Sequence, residues 1–271
     1  MSYFRSLFLG WLVWLAGTLA GLPAASGQDF RVDSEIFIGE EKEPAIEALT
    51  VFSHGMVYDF LLHAREVTML DPVRGRFTLL NERHQVKSGI STQELLEFTI
   101  DLETHAAQSD DPLFAFAARP EFQTTEKKVE RNGQSLVEIN LAGKPLVYAA
   151  VGQPPQQPEA VRVFRHFADW YARLNATRAG NLPPAARLAV NAALAERGLL
   201  PLEITRTFPA STRFGSDIQV KSRHLVNWTL SGEDRRKIDE AGTWLANFKA
   251  VSFDEYRNLP QASEPEKQAK R

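Results

Sequence analysis

Six histidines, at 54, 63, 84, 105, 166 and 224, carry the side chains best suited to proton chemistry near neutral pH. No two of them stand three or four residues apart, so the spacing that places two imidazoles on one helix face for a metal is missing. His54 precedes Gly55 and reads as a turn residue that tolerates positive φ. His224 falls by parity on the inward face of a long strand, where a hydrogen-bonded interior histidine outweighs a buried general base. The acidic pairs Asp110-Asp111 and Glu233-Asp234 sit where helices and turns begin, and no Asx-rich loop surrounds them as calcium would require. Arg74, Arg76 and Arg83 lie near Glu66 and Glu82 and read as solvated hairpin positions. The patterns GxSxG, HExxH, GxxxxGK[ST] and GxGxxG do not occur. With no cysteine, disulfides, thiolate nucleophiles and cysteine metal ligands are removed together. These types and spacings predict no cofactor, no metal centre and no enzyme, although scattered polar groups can assemble a site without a local motif.

The aromatic residues offer a different chemistry. Phe52, Tyr58, Phe60, Phe77, Phe208 and Trp228 are candidates to line a cavity for an apolar ligand; a filled core is the other use of the same rings.

Residues 1–27 read as a signal peptide. Arg5 is a short basic start, Leu7 to Leu22 carries no charge, Pro23 breaks a helix, and Ala25-Ser26-Gly27 sets small residues before Gln28. A retained membrane anchor is the rival, because the uncharged stretch approaches the roughly 20 residues that span a bilayer. Cleavage near Gly27 predicts an exported protein, periplasmic or secreted, with no stable membrane anchor and, lacking cysteine, no lipid attachment. The formal net charge is −3, and losing Arg5 makes the remainder slightly more acidic. That balance argues against nucleic acid or an anionic membrane surface as a partner.

The positioning elements follow from periodicity. Phe30, Val32, Ser34, Ile36 and Ile38 alternate with polar residues and predict a strand. Further strands are predicted at Ala45 to Phe52, Met56 to Leu62, Val67 to Leu70, Phe77 to Leu80 and Gln85 to Ile90. The hairpin turn Asp71-Pro72-Val73-Arg74-Gly75 combines an initiator, a fixed φ and a glycine for the left-handed position. Ser91 with Glu94 forms a capping box for a helix whose inner face is Leu95, Phe98, Leu102 and Ala106. Asn132-Gly133 joins a second hairpin, Thr124 to Arg131 with Ser135 to Leu141. A proline-rich linker at 153–158 leads to helices at 159–178 and 185–197, the latter closed by Gly198. Strand character returns at Leu202 to Phe208, and a turn at 209–215 leads to a face of Ile218, Val220, Val226, Trp228 and Leu230. Ser231 and Asp234 cap a last helix with Ile238, Ala241 and Leu245 inward. No repeat of fixed period is read.

The segments Val57-Tyr58-Asp59-Phe60 and Met69-Leu70-Asp71-Pro72-Val73-Arg74-Gly75-Arg76-Phe77 resemble the β-meander of lipoprotein-carrier (LolA-like) domains. The chain as a whole resembles exported bacterial proteins of unassigned function. The carrier resemblance, over about residues 29–150, implies a half-open barrel whose helices cover an apolar cavity. The helix pair at 159–198 and the absent lipid-attachment cysteine depart from that family. The resulting expectation is an α+β fold: a bent antiparallel sheet or half-barrel with covering helices on its concave side. Residues 28–259 would form one domain with a helical insert at about 159–198, followed by a disordered tail at 260–271. Its function would be that of a periplasmic, non-enzymatic carrier of an apolar, acyl-like ligand or lipid. The alternative is a cell-envelope interaction or scaffold protein, with an envelope protein as partner, a filled core and no ligand.

Overall fold

The computed structural model describes residues 29–208 and 217–260. The expected signal segment, the turn at 209–215 and the tail beyond Pro260 lie outside the described residues. Twelve strands form one sheet: β1 (Phe30–Ile38), β2 (Ile46–Ser53), β3 (Met56–Leu61), β4 (Glu66–Asp71), β5 (Arg76–Asn81), β6 (Val86–Ser91), β7 (Gln123–Arg131), β8 (Gln134–Ala142), β9 (Val147–Gln153), β10 (Leu200–Phe208), β11 (Ile218–Asn227) and β12 (Lys249–Ala250). Their order is β12-β6-β5-β4-β3-β2-β1-β11-β10-β9-β8-β7. Every neighbouring pair is antiparallel except β12 with β6. The sheet is therefore two meanders joined where β1 meets β11, and the fold is α+β with a bent, open sheet.

The strands from β3 to β6 obey a rule the sequence reading missed. Each is six residues long, and they begin at 56, 66, 76 and 86, a ten-residue repeat. The residue before each strand has positive φ: Gly55, Arg65, Gly75 and Gln85. In β4 and β5 the sixth strand residue supplies the next turn. Asp71 Oδ1 accepts from the backbone N–H groups of Val73 and Arg74, and Asn81 Oδ1 from that of His84. Ser91, at the same phase, instead accepts from Glu94 N–H and starts α1 (Thr92–Ala106). One device thus makes two turns and then a helix. Side-chain identity hardly repeats across the units, so the period resides in the backbone.

Local signals mostly hold. Gly75 has φ +58°, and the Asn132-Gly133 and His54-Gly55 turns have both central residues at positive φ. Both capping boxes form, at Ser91/Glu94 and Ser231/Asp234. A short helix, α2 (Pro112–Ala118), follows Asp111, whose side chain caps it. The helical pair α3 (Glu159–Ala176) and α4 (Ala185–Glu196) connects the adjacent strands β9 and β10 and packs on the sheet. α5 (Gly232–Asn247) and α6 (Phe253–Arg257) complete the helices among the described residues. Among the described residues no helix is long and apolar enough to cross a membrane.

The helices do not share one side of the sheet. Phe30, Val32, Phe52, Val57, Leu70 and Phe77 face α1, α3 and α6, and Ile139, Leu141, Tyr148 and Ile204 on the same face meet α2 and α4. Their alternate neighbours Leu49, Val51, Phe60, Val67 and Met69 face α5 on the other side. α5 is tied down by Arg31 Nη1, which donates to buried Asp234 Oδ1 at 2.7 Å. Burial works against that charge, but hydrogen bonds from Ser231 and Arg31 hold the Asp234 carboxyl below its usual range. Three expected inward positions are corrected. Phe98 and Leu245 are exposed, Thr99 and Trp244 being buried or packed on those helices instead; Leu230 joins the α5 side, away from Trp228.

Candidate functional site

The six predicted lining residues fall into three groups. Phe52, Phe77 and Trp228 lie between the sheet and α3; Phe52 stacks on Phe30 at 4.2 Å between ring centroids and meets Phe167 edge-on at 5.8 Å. Tyr58 and Phe60 occupy the opposite face, stacked at 6.5 Å beneath α5. Phe208 packs at the edge of the α4 cluster, under the guanidinium of Arg206 at 4.8 Å. They converge on no common space. Phe52 and Phe77 expose 1% and 0% of their surface, so no opening wide enough for water adjoins them. Two spaces can be described. One, of about 10 Å³, lies between α3 and α4 beside Val161, Asn191 and Leu194 and has room for one water. The other is an open groove of about 280 Å³ beside α5, bounded by Phe60, Leu62, Arg65, Glu82, Lys237 and Trp244.

Polar groups converge elsewhere, on the face beneath α3 and α4. His224 on β11 stands opposite Ser34 on β1. Its Nδ1 lies 2.9 Å from Ser34 Oγ, and its Nε2 lies 3.0 Å from Ser222 Oγ. Ser222 Oγ donates its own proton to the Ile204 carbonyl at 3.3 Å, so it accepts from Nε2–H and leaves Nδ1 to accept from Ser34. Burial, with Arg187 adding a like charge, lowers the imidazole to about 3. A ring held neutral so far down accepts protons poorly, and both its nitrogens bond serines rather than an orienting carboxylate. Above this row, Arg206 on β10 is the cross-strand partner of Tyr148 on β9. Arg187, on the sheet-facing side of α4, donates from Nε to Asn191 Oδ1 at 3.1 Å, and Asn191 Nδ2 donates to Asp169 Oδ1 at 2.8 Å. Asp169 also pairs with Arg165 at 3.4 Å. Arg187 is close enough to Tyr148, Arg206, Asp169 and His224 to interact with each electrostatically.

A second buried cluster secures α3. Thr50 Oγ1 donates to Asp59 Oδ1 at 2.6 Å, and the Tyr171 hydroxyl donates to the same carboxylate. Burial raises Asp59, and burial beside Asp59 raises Tyr171 well above the ordinary phenol value. Glu66 links this cluster to Arg178 at 3.6 Å and accepts from Asn81 Nδ2 at 3.0 Å.

Sequence reasoning singled out His224 and missed its neighbours. Ser34, Ser222 and Asp59 were legible only as polar residues at apolar parity, and Arg187 as a charge four residues before Asn191 on an alanine- and valine-rich helix face. Among the described residues no group of three or more His, Cys, Asp or Glu side chains could hold a metal ion.

No family model and no curated protein matches the chain. Among solved structures, PNGF-II superposes with a TM-score of 0.36 at 10% identity, over 85% of this chain and 32% of that one. This chain thus spans about a third of that protein, and a likeness at this score carries no argument. The class is defined by architecture alone: an α+β protein with an open twelve-stranded sheet.

Proposed function

We propose that the protein is an exported, non-enzymatic interaction or scaffold protein of the cell envelope, acting through its surface rather than an interior ligand cavity. One observation carries the reading: the space between sheet and α3, where an apolar ligand would lie, is occupied by Phe30, Phe52, Phe77 and Phe167 in contact. Among the described residues, the surface offers an open face on β1 and β11–β7. There Leu225 is 62% exposed and Arg223 lies over Phe37 at 4.9 Å. Ion pairs of Arg223 and Arg131 with Glu203, and of Lys127 with Glu138, cross the same face. Apolar groups ringed by charge are the composition of a non-obligate contact surface.

Native mass spectrometry of protein from its host separates this from the carrier reading. A bare mass is expected; a lipid-sized adduct removed by organic extraction restores the carrier. In parallel, a photo-crosslinker at Leu225 should form a discrete envelope adduct that the same group at exposed Val73 does not. Equal labelling at both positions would remove the support for that face. Sequencing of the exported material should begin Gln-Asp-Phe-Arg, whereas an intact Met1 in membranes would show retention.

A further inference from the structure

Three features of the seam between α4 and the sheet leave it short of negative charge. Arg206 has a buried Nε with no hydrogen-bond acceptor. Among the described residues, neither Arg206 nor Arg187 has a carboxylate at ion-pair distance. The one acid near Arg187 is Asp169, and its oxygens are engaged by Arg165 and Asn191. Arg187 feels the like charge of Arg206, and the buried donor of Arg206, whose guanidinium otherwise packs over Phe208, costs free energy until an acceptor satisfies it. Both arginines are half-buried as residues, while the unpaired Arg206 Nε itself is buried.

We infer that Arg187 and Arg206 form a binding site for a small oxyanion, a carboxylate or phosphate group, with Tyr148 and His224 beside it. Planar guanidinium forks match such oxygens in pairs, and a ligand oxygen at Arg206 Nε gains a hydrogen bond rather than exchanging one. Burial is the main cause of the depressed ionisation of His224, and the like charge of Arg187 adds to it. The charged group that acts on the ring is Arg187 on α4; Arg206 and Tyr148 on the strands and Asp169 on α3 act on Arg187 in turn. An anion between the arginines would cancel part of that field. This site is independent of the surface reading above, and either can fail alone.

The test follows the Arg206 Nε–H and His224 Nε2–H signals of the full chain by NMR at constant ionic strength. Inorganic phosphate, acetate and chloride are titrated separately. A saturable downfield shift at Arg206 Nε–H with phosphate or acetate, absent with chloride, is expected. Phosphate alone would identify a phosphorylated ligand, and acetate alone a carboxylate. Arg187→Gln should weaken the response at least tenfold; Arg187→Lys, which keeps the charge but loses the fork, should fall between and serves if the glutamine variant does not fold. Unsaturable shifts, an equal response to chloride, or unchanged affinity in both folded variants would overturn the site.

Discussion

Leu49 and Leu225 both pair across from Asp33, one on each side of β1, and both point to the same face of the sheet. Leu49 is 5% exposed and Leu225 is 62% exposed. The difference is α5, which covers β2–β5 and stops at β1, where Arg31 holds Asp234. Among the described residues, one half of the sheet is therefore sandwiched between helices, and the other is covered on a single face. The halves share a backbone architecture but not a physical role. In the covered half both side-chain parities are apolar; in the open half one parity carries Glu138, Glu203, Lys221 and Arg223, whose pairs lie in water and stabilise little.

The largest effect that would test this contrast is Phe52→Ala, which should lose about 3–5 kcal/mol in denaturant unfolding because the ring is enclosed by Phe30 and Phe167. A loss near zero would mean that the space is not filled. Leu49→Ala should lose about 2–5 kcal/mol, the range for an enclosed leucine. His224 sharpens the boundary through pH. Its folded ionisation lies at about 3 against 6.5 for the free side chain, so the unfolded chain takes up the proton first as pH falls. Stability from this group is complete above 6.5 and declines below it by about 1.4 kcal/mol per pH unit, down toward 3. His224→Gln should flatten that acid limb of a stability–pH curve, and an unchanged limb would show that the ring titrates freely.

Smaller effects follow at the surface. Gly75→Val should destabilise by more than the ~1 kcal/mol of an ordinary glycine exchange. The position has φ +58°, and a Cβ there would stand 2.8 Å from Thr92 Oγ1, which donates to the Gly75 carbonyl. An unaltered melting temperature would contradict the turn. Leu225→Ala should change stability by no more than about 0.5 kcal/mol, as expected of an open surface. A loss comparable with Leu49→Ala would show that something covers the second half as well.

Much of this molecule is legible locally. Ser91/Glu94, Ser231/Asp234, Asn132-Gly133 and Asp71 to Gly75 each specify their geometry through bonds or φ preferences within four or five residues. Strand alternation was equally readable, because the period of two is a property of the extended backbone. The ten-residue rhythm from 56 to 91 was less so, since it resides in φ signs and one turn acceptor per unit rather than in repeated side chains.

The candidate site could not be read that way. Ser34 and His224 are 190 positions apart and meet only because β1 pairs with β11; Arg187 joins them through the packing of α4. Nor could parity alone tell whether Tyr58 and Phe60 share a side with Phe52, because that depends on which strand register is adopted and which face each helix takes. The sequence by itself determined where elements begin, turn and alternate, since those are short-range consequences of φ, hydrogen bonding and periodicity. Only the tertiary structure decided which alternating face is covered, which polar residues meet, and where two arginines are left without a carboxylate, because burial and pairing are set by groups distant along the chain.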